Sequence, residues 1–319
     1  MSIFNEIRAQ CAAVAAEARF VRIDRSKLEE TARRLAPAAA LAPILDPHFH
    51  YVGDASTTIA YIVTLDTVNF GSGWFPHLKK VEGKSGYFTV AKRLKEQFET
   101  HGAWSAAALE ALTPERVATI LAQQGGDEAN RELMSLFTLA LKDLGRHLRE
   151  RHAGSFEALV RSARGSAAAL VEELALMPLF RDVSVYHGRI VPFMKRAQIT
   201  VADLALALAG HGLGAFRDID ELTIFADNLV PHVLRLDGVL VVDPAIVAKI
   251  ESGVLIEHDT DPEIELRAVA LHAVQEMAHY LTAAGTKTTA VRLDYVLWNT
   301  GQGADYKSRP RQRTRTVYY

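Results

Sequence analysis

Apolar residues recur at helical spacing through most of this sequence, and the runs begin at residues that typically cap helices. Ser26 stands three residues before Glu29, which is the spacing of a capping box, and Thr113 is followed by proline at the first helical position. Only the stretches 59–65 and 239–242 have the apolar, β-branched character of strands. The same helical signals predict further helices at 133–144 and 169–177, and helices that begin at Thr200, Asp218 and Asp261.

This pattern predicts a mainly α protein with minor β structure. The chain has 319 residues, of which 49% are hydrophobic and 23% charged, and this composition excludes disordered, collagen-like and low-complexity proteins. We expect a single compact unit over residues 1–319, with Gly125-Gly126 as a weakly marked alternative boundary between two parts.

Charge and cysteine content restrict the class of protein further. Lys and Arg number 36 against 38 Asp and Glu, so the chain lacks the basic surplus of a general nucleic-acid binder. The single cysteine, Cys11, allows no internal disulfide and fits a reducing compartment. No apolar run approaches ~18 residues, and the first residues lack the pattern of a secretory signal. We therefore expect a cytoplasmic monomer that does not associate with membranes.

Common catalytic motifs are absent from the sequence. It contains no phosphate loop, no GxGxxG after a strand, no HExxH, no CxxC and no GxSxG. His48 and His50 lie two residues apart and would share one face of a strand, but no third metal ligand is evident nearby. We therefore expect neither a metal nor a cofactor.

Three local features deserve a functional interpretation beside a structural one. Residues 204–222 combine an apolar helix, a Gly-rich turn and the acid-capped start of a second helix. This order is typical of a helix-hairpin-helix element, whose backbone amides can hold a phosphate. Lys195 and Asp227 are charges inside apolar runs, a context that is more often structural than catalytic. The tail 307–319 carries five basic residues by position 315 and no acid, which indicates either a solvated terminus or a phosphate clamp.

Five ordered blocks together resemble one protein family. They read YIVTLDTVNFGSGWFP (61–76), FMKRAQITVADL (193–204), FRDIDELTIFADNLVP (216–231), VRLDYVLWNTG (291–301) and RTRTVYY (313–319). Together they resemble the queuosine salvage protein family, from about His48 onward. Its members are queuosine 5′-phosphate N-glycosylases, and their fold is similar to that of helix-hairpin-helix DNA glycosylases. The resemblance implies that fold and the release of queuine from its ribose 5-phosphate for salvage and tRNA modification.

The implied reaction sets chemical demands on the site. Breaking an N-glycosidic bond develops oxocarbenium character on the sugar, which needs a negative group near C1′. Queuine is a 7-deazapurine and carries carbon where guanine has N7, so the departing base must be stabilised at N3 or O6. The resemblance assigns Asp227 to the oxocarbenium and to the attacking water, and Lys195 as its cationic partner. A Schiff-base role for Lys195 is an alternative that hydrolysis does not need.

The resemblance also implies a set of binding residues, each with a structural alternative as a cap, an ion pair or core packing. Asp66 would accept from the edge of the deazaguanine, and Asn69 would contact O6 or the cyclopentenediol. Phe70 and Phe225 are expected to stack on the base, with Asn228 in the pocket wall. Further expected contacts are His50 and Tyr51 to the hydroxyls, Asp294 and Trp298 from one helix face, and Arg313 or Arg315 to the 5′-phosphate.

Two rival functions stay open at this point. A DNA or RNA glycosylase acting on a flipped base would share the fold and the Lys/Asp chemistry, and it would bind duplexes in a salt-sensitive way. A helical module that carries queuine or a nucleotide would bind its ligand without forming a product. The expected partner is the mononucleotide queuosine 5′-monophosphate, with no need for polymeric nucleic acid.

Overall fold

The computed structural model describes residues 2–41, 43–81 and 83–319, and helices dominate these ranges. The prediction of a mainly α protein with minor β structure is confirmed. The helices are α1 Ile3–Glu17, α2 Arg25–Ala39, α3 Ala55–Thr67, α4 Gly86–His101, α5 Ala106–Glu110, α6 Pro114–Ile120, α7 Glu128–Arg151, α8 Phe156–Ser162, α9 Ala167–Leu174, α10 Lys195–Ala207, α11 Leu229–Leu236, α12 Pro244–Glu251, α13 Asp261–Ala283, α14 Ala290–Thr300 and α15 Ala304–Lys307.

The β structure consists of two small antiparallel pairs within the described ranges. Strand β1 (Val21–Ile23) pairs with β4 (Leu240–Val242), which confirms the strand predicted at 239–242. Strands β2 (Val183–Tyr186) and β3 (Arg189–Pro192) form a hairpin. Its two turn residues, His187 and Gly188, have φ values of 47° and 81°, as the tight turns that fit the twist of a hairpin require.

Several predicted helix starts are close to the observed ones. Thr113 caps α6 through a hydrogen bond from the Arg116 amide, as its sequence predicts. Helix α13 begins at Asp261, also as predicted. Helix α2 begins slightly earlier than expected, with Asp24 rather than Ser26 as its capping residue. Helix α10 begins at Lys195, five residues before the predicted start at Thr200.

Two predictions of secondary structure are wrong, each for a physical reason. The strand predicted at 59–65 is part of helix α3, whose residues 58–67 are all buried, so no polar face reveals its helical period. The helix predicted from Asp218 is a single 3₁₀ turn, Ile219–Glu221, followed by extended chain. The Asp218 carboxylate instead accepts hydrogen bonds from the Ala167 and Ala168 amides and so caps helix α9. The second helix of the expected hairpin element is therefore absent at this position.

The core is one contiguous cluster of buried apolar side chains within the described part of the chain. Helix α13 packs against α1, α2 and α14 on one side of this core, and helix α3 packs against α4, α7, α8 and α10 on another. No helix in the described ranges has the length and apolar character needed to cross a bilayer. The proposed boundary at Gly125-Gly126 stays a prediction.

A buried ion network lies where α13 meets the hairpin and the tail. Arg267 of α13 pairs with Asp182 at 2.6 Å and lies 3.5 Å from Glu263, and all three side chains are buried. The rings of Phe193 and Tyr319 lie against its guanidinium, with centroids 3.9 and 4.5 Å away. Since buried charges are costly unless paired, this network requires its partners to be present together.

The basic tail packs on the protein instead of extending into solvent. The Gly71 amide donates to the Tyr319 carbonyl at 3.0 Å, and the Ile256 amide donates to the Arg313 carbonyl at 2.9 Å. Gly73 lies directly under the tail, because a Cβ there would come within 2.4 Å of the Thr314 carbonyl oxygen. The solvated-terminus interpretation is therefore wrong for residues 311–319.

Replacing Arg267 by methionine should destabilise the protein by about 3–5 kcal/mol, because Asp182 and Glu263 would stay buried without their cation. Urea unfolding followed by circular dichroism measures this loss. Arg161→Met is the matched control, since Arg161 forms an exposed pair with Glu157 on α8 and its loss should change the free energy of unfolding little. Equal losses in the two variants would contradict the role given to the network.

Candidate active site

A cavity of about 500 Å³ lies between helix α10, helix α14, the start of α11, the loop after α3 and the tail. This volume is within the range of pockets that hold small-molecule ligands. The structure brings most of the predicted site residues to its wall. Those that line it are His50, Asn69, Phe70, Lys195, Phe225, Asp227, Asn228, Asp294, Trp298 and Arg313.

Lys195 is the first residue of α10, and its position is set by the backbone around it. Met194 precedes the helix in a left-handed conformation with φ 52°, which turns the chain out of strand β3. Asp182 accepts a hydrogen bond from the Lys195 amide at 3.1 Å. The Lys195 ammonium donates to the backbone oxygen and the Oδ1 of Asn69, at 3.1 and 3.4 Å. Burial lowers the pKa of Lys195, and the charge of Asp227 opposes that effect.

Asp227 lies just before helix α11 and uses one oxygen to hold the start of that helix. Its Oδ1 accepts hydrogen bonds from the amides of Leu229 and Val230, at 2.7 and 3.3 Å. The positive end of the helix favours negative charge at this position. The preceding carbonyl, that of Ala226, accepts a 2.9 Å hydrogen bond from buried Arg267, which fixes the backbone next to the acid.

Asp294 is a second carboxyl group in the cavity, and its environment is enclosed, unlike that of Asp227. Asp294 of α14 is 3% exposed and accepts a 2.9 Å hydrogen bond from the Phe225 amide. Burial and the nearby charge of Asp227 raise the pKa of Asp294 to about 8. Asp294 therefore carries a proton near neutral pH and can act as a hydrogen-bond donor.

Asp203 is a cavity residue that the sequence analysis did not single out. It shares one face of α10 with Lys195 and Ile199, at positions i, i+4 and i+8, and all three side chains line the cavity. The Tyr295 hydroxyl donates to its carboxyl group at 3.3 Å, and burial raises the pKa of Asp203 well above its ordinary value. The sequence does carry a signal for Asp203, because an acid eight residues after Lys195 lies on the same face of an otherwise apolar helix.

Aromatic side chains form one wall of the cavity around Trp298. Tyr87 and Phe88, at the start of α4, approach the Trp298 ring edge-on, with centroids 5.8 and 5.6 Å away. The Tyr87 hydroxyl lies 2.8 Å from Nε2 of His50, whose other ring nitrogen contacts the Asp46 carbonyl. Burial lowers the pKa of His50. Tyr87 and Phe88 were missed because their spacing is typical of core packing.

Three of the predicted binding residues do not line the cavity. Asp66 is fully buried next to Asn69, whose amide donates to its Oδ1 at 3.0 Å, and it is not part of the cavity lining. Burial raises the pKa of Asp66 to about 7. Tyr51 packs against Tyr61 and Phe98, away from the cavity. Arg315 is exposed, lies 3.3 Å from Glu132 and is not part of the cavity lining.

The rim of the cavity is cationic where the tail crosses it. Arg313 lines it and donates to the Gly253 carbonyl at 2.9 Å, and Lys307, Arg309 and Arg311 line it as well. The Arg311 side chain makes no hydrogen bond to any residue in the described ranges. Burial lowers the pKa of Arg311, an effect that the charge of Asp227 opposes. The sequence analysis named Arg313 or Arg315; Arg313 lines the rim, and Arg311 was missed because its spacing does not distinguish it from the other basic residues of the tail.

Fold and site together define a helical protein with an acid–base pocket of nucleotide size. The model of the queuosine salvage protein family matches residues 49–319. A protein of Sphaerobacter thermophilus is 34% identical over 312 residues, which are 96% of this chain and 95% of that relative. A protein of Dictyostelium discoideum is 34% identical over 264 residues, 82% of this chain and 78% of that relative. Both are named queuosine 5′-phosphate N-glycosylase/hydrolase.

The chain therefore belongs to the queuosine salvage protein family, and the resemblance seen in its sequence is confirmed. The match with the family model begins at residue 49, close to the point where the resemblance begins.

Asp294→Asn should change how stability depends on pH. Because the folded protein holds the Asp294 proton up to about pH 8 and the unfolded chain releases it near pH 4, this group lowers the free energy of unfolding as pH rises between those values. The variant should lose that decline. Its free energy of unfolding relative to the natural protein should rise with pH, by at most about 1.4 kcal/mol per unit.

Urea unfolding between pH 5 and 9 measures the difference. Asp305→Asn, which alters an exposed acid in α15, serves as the control and should give a curve parallel to that of the natural protein. A parallel curve for Asp294→Asn would show that Asp294 is ionised at neutral pH.

Proposed function

We propose that this protein hydrolyses the N-glycosidic bond of queuosine 5′-monophosphate and releases queuine and ribose 5-phosphate. The observation that carries the proposal is that Lys195 and Asp227, 32 residues apart, line one nucleotide-sized cavity in a chain whose relatives bear this activity in their names. In the reaction the bond from C1′ to the base breaks, the oxygen of water bonds to C1′, and a proton from water balances the charge of the departing base.

Asp227 is the carboxylate that meets the positive charge developing on the ribose. Its Oδ1 is held by two helix amides, whereas its Oδ2 accepts no hydrogen bond from residues in the described ranges. That free oxygen can orient water toward C1′ and stabilise the oxocarbenium ion. Because the helix amides hold Oδ1, the carboxylate is placed before the substrate enters.

Lys195 supplies the fixed cation of the site. Two of its three N–H groups are directed at Asn69, which leaves one donor for the substrate. An ammonium in this position stabilises negative charge on the base or ribose. Asn69 in turn links Lys195 to Asp66, so Asp66 acts behind the site and not on the base.

Asp294 suits the special demand of a 7-deazapurine leaving group. The base has no N7 to accept a proton, so its charge must be stabilised at N3 or O6. A carboxyl group that is neutral at pH 7 offers the required donor, and Asp294 meets this condition in the cavity wall. Trp298, Tyr87 and Phe225 supply the aromatic surface against which the base can stack.

Arg311 and Arg313 are the phosphate ligands in this proposal. Both face the cavity from the tail, and guanidinium groups bind phosphate in a bidentate manner. Arg311 takes the place that the sequence analysis gave to Arg315, because Arg315 lies outside the cavity and contacts Glu132. Binding of the 5′-phosphate at this rim would leave the base to reach the aromatic wall.

Hydrolysis of an N-glycoside is redox-neutral and uses water, so the proposed reaction includes no cofactor. A mononucleotide substrate agrees with the net charge of −2 and with the size of the cavity. We propose a cytoplasmic monomer that needs no polymeric nucleic acid, and the likeness to helix-hairpin-helix DNA glycosylases stays a prediction.

Asp227→Asn and Lys195→Ala should each lower kcat for queuine release by roughly 10²–10⁴-fold while the protein stays folded, because each removes a charge that the transition state needs. Chromatography of queuosine 5′-monophosphate incubated with each variant measures the product. Asp305→Asn and Lys287→Ala alter exposed residues of the same types and should turn over normally. Near-normal turnover in Asp227→Asn or Lys195→Ala would overturn the assignment.

Arg311→Ala and Arg313→Ala should each raise KM for the 5′-monophosphate by about tenfold, the equivalent of about 1.4 kcal/mol, and hardly change turnover of the nucleoside. Arg315→Ala is the matched control from the same tail and should leave both substrates unaffected. Steady-state kinetics on both substrates makes the comparison. Equal losses on nucleotide and nucleoside would show that the tail supports the structure and does not bind phosphate.

A further inference from the structure

Two histidines and a glutamate converge at a place separate from the cavity. His147 lies in the last turns of α7, His152 directly follows that helix, and Glu173 lies in α9. None of the three lines the cavity of the candidate active site. They form a group in which each residue offers one ligand atom, and these atoms all lie within 4.8 Å of one another.

The distances in this group fit ligands of one ion. Nε2 of His152 lies 3.0 Å and Nε2 of His147 lies 3.1 Å from the same oxygen, Oε1 of Glu173. Bonds of about 2.0–2.1 Å from a tetrahedral ion to nitrogen and oxygen place two ligand atoms about 3.3 Å apart. The two imidazole rings lie side by side, with centroids 5.2 Å apart.

The orientation of His147 is an independent observation that points to a ligand. Its side chain is more than nine-tenths buried, and its Nε2 has no hydrogen-bond partner in the described part of the chain. At 3.1 Å from Oε1 the separation suits a hydrogen bond, but the two atoms are not aligned for one. Nε2 of His152, by contrast, is within hydrogen-bond geometry of the same Oε1 at 3.0 Å, so His147 is the member of the group whose ring nitrogen is left without a partner.

We propose that His147, His152 and Glu173 bind one divalent transition-metal ion, Zn²⁺ in the first instance. Two imidazoles and a carboxylate suit Zn²⁺, with water in the fourth position. The ion has a structural role, because it joins the end of α7 to α9 across the segment 153–166. This segment contains α8 and is flanked by left-handed turns at Ala153 and Arg164, with φ values of 50° and 51°. A bond across it restricts the unfolded chain and stabilises the fold.

Arg151 is the main competitor of a metal ion for the carboxylate of Glu173. Its guanidinium donates to both carboxylate oxygens, at 2.7 and 3.1 Å, and its side chain is half exposed. In the metal-bound protein it keeps Oε2 and orients the carboxylate, as outer partners of metal ligands commonly do. If the group were only an ion-pair cluster, Arg151 would be its principal cation.

Zinc binding by the full-length protein tests the proposal. Protein stripped with a chelator is titrated with Zn²⁺ by calorimetry, and Co²⁺ is added in parallel to record visible absorption. The expected results are one Zn²⁺ per chain, a Co²⁺ spectrum typical of tetrahedral coordination, and a higher Tm with Zn²⁺ present. Absence of saturable binding at one ion per chain would overturn the proposal.

Two ligand variants and a matched control locate the ion. Glu173→Gln and His152→Ala should each weaken Zn²⁺ binding by at least about tenfold, because even loss of an outer partner costs roughly 10–100-fold. His272→Ala is the control, since His272 is a partly buried histidine 3.3 Å from Glu276 on α13. Unchanged affinity in Glu173→Gln and His152→Ala would place the ion elsewhere and refute this site.

Arg151→Ala separates the metal site from an ion-pair cluster. A metal site loses at most roughly 10–100-fold in Zn²⁺ affinity, the cost of an outer partner, but still binds one Zn²⁺ per chain and keeps the rise in Tm, because all three ligands remain. An ion-pair cluster instead loses stability in this variant and gains none from Zn²⁺. These readouts do not depend on queuine release, so failure of the metal site and failure of the proposed function are distinguishable.

Discussion

The buried pair of Arg267 and Asp182 determines where the two main residues of the candidate site lie. Asp182 uses one carboxylate oxygen for both Arg267 and the amide of Lys195, and Arg267 also donates to the carbonyl next to Asp227. One ion pair thus fixes the backbone at Lys195 and at Asp227, although 32 residues separate them. Burial alone would lower the pKa of Arg267, but the charges of Asp182 and Glu263 outweigh it and hold the pKa above its ordinary value. The guanidinium therefore stays charged at any pH at which the protein is folded.

The cavity that this pair organises separates acids by their surroundings. Asp227 receives two helix amides and faces the cavity, an arrangement that favours negative charge. Asp294 and Asp203 are enclosed, and burial raises the pKa of each. A single pocket thus places a carboxylate held by helix amides beside enclosed carboxyl groups, and different surroundings of this kind allow acids of one site to take different roles. Lys195 lies among them as the one buried ammonium of the described cavity wall.

The sequence predicts a helix start where the capping residue is a near neighbour of the helix. It does not predict a cap or a side-chain environment that residues far away in the sequence supply. Thr113 caps the helix that follows it, as predicted, whereas the Asp218 carboxylate caps a helix that begins 51 residues earlier. Lys195 and Asp227 attract attention as charges in apolar runs, and the family resemblance then gives them roles. Asp66 has the same context, yet Asn69 lies between it and the cavity, which no spacing reveals. Arg311 lines the cavity, whereas Arg315, four residues further along the same tail, contacts Glu132, and the spacing of the basic residues does not reveal where the tail leaves the cavity.

The tail connects the proposed phosphate rim to the same ion pair. Tyr319 lies against the guanidinium of Arg267 and donates its hydroxyl hydrogen to Glu263 at 2.7 Å, so the tail is anchored in the network that positions Lys195 and Asp227. Arg311 and Arg313 lie eight and six residues before this anchor, on a segment that lines the cavity. The rim and the acid–base residues therefore share one support. A shared support keeps the proposed phosphate rim at a fixed distance from Lys195 and Asp227, and a fixed distance between two binding parts is what positions a reacting atom in a site that holds a ligand by both ends.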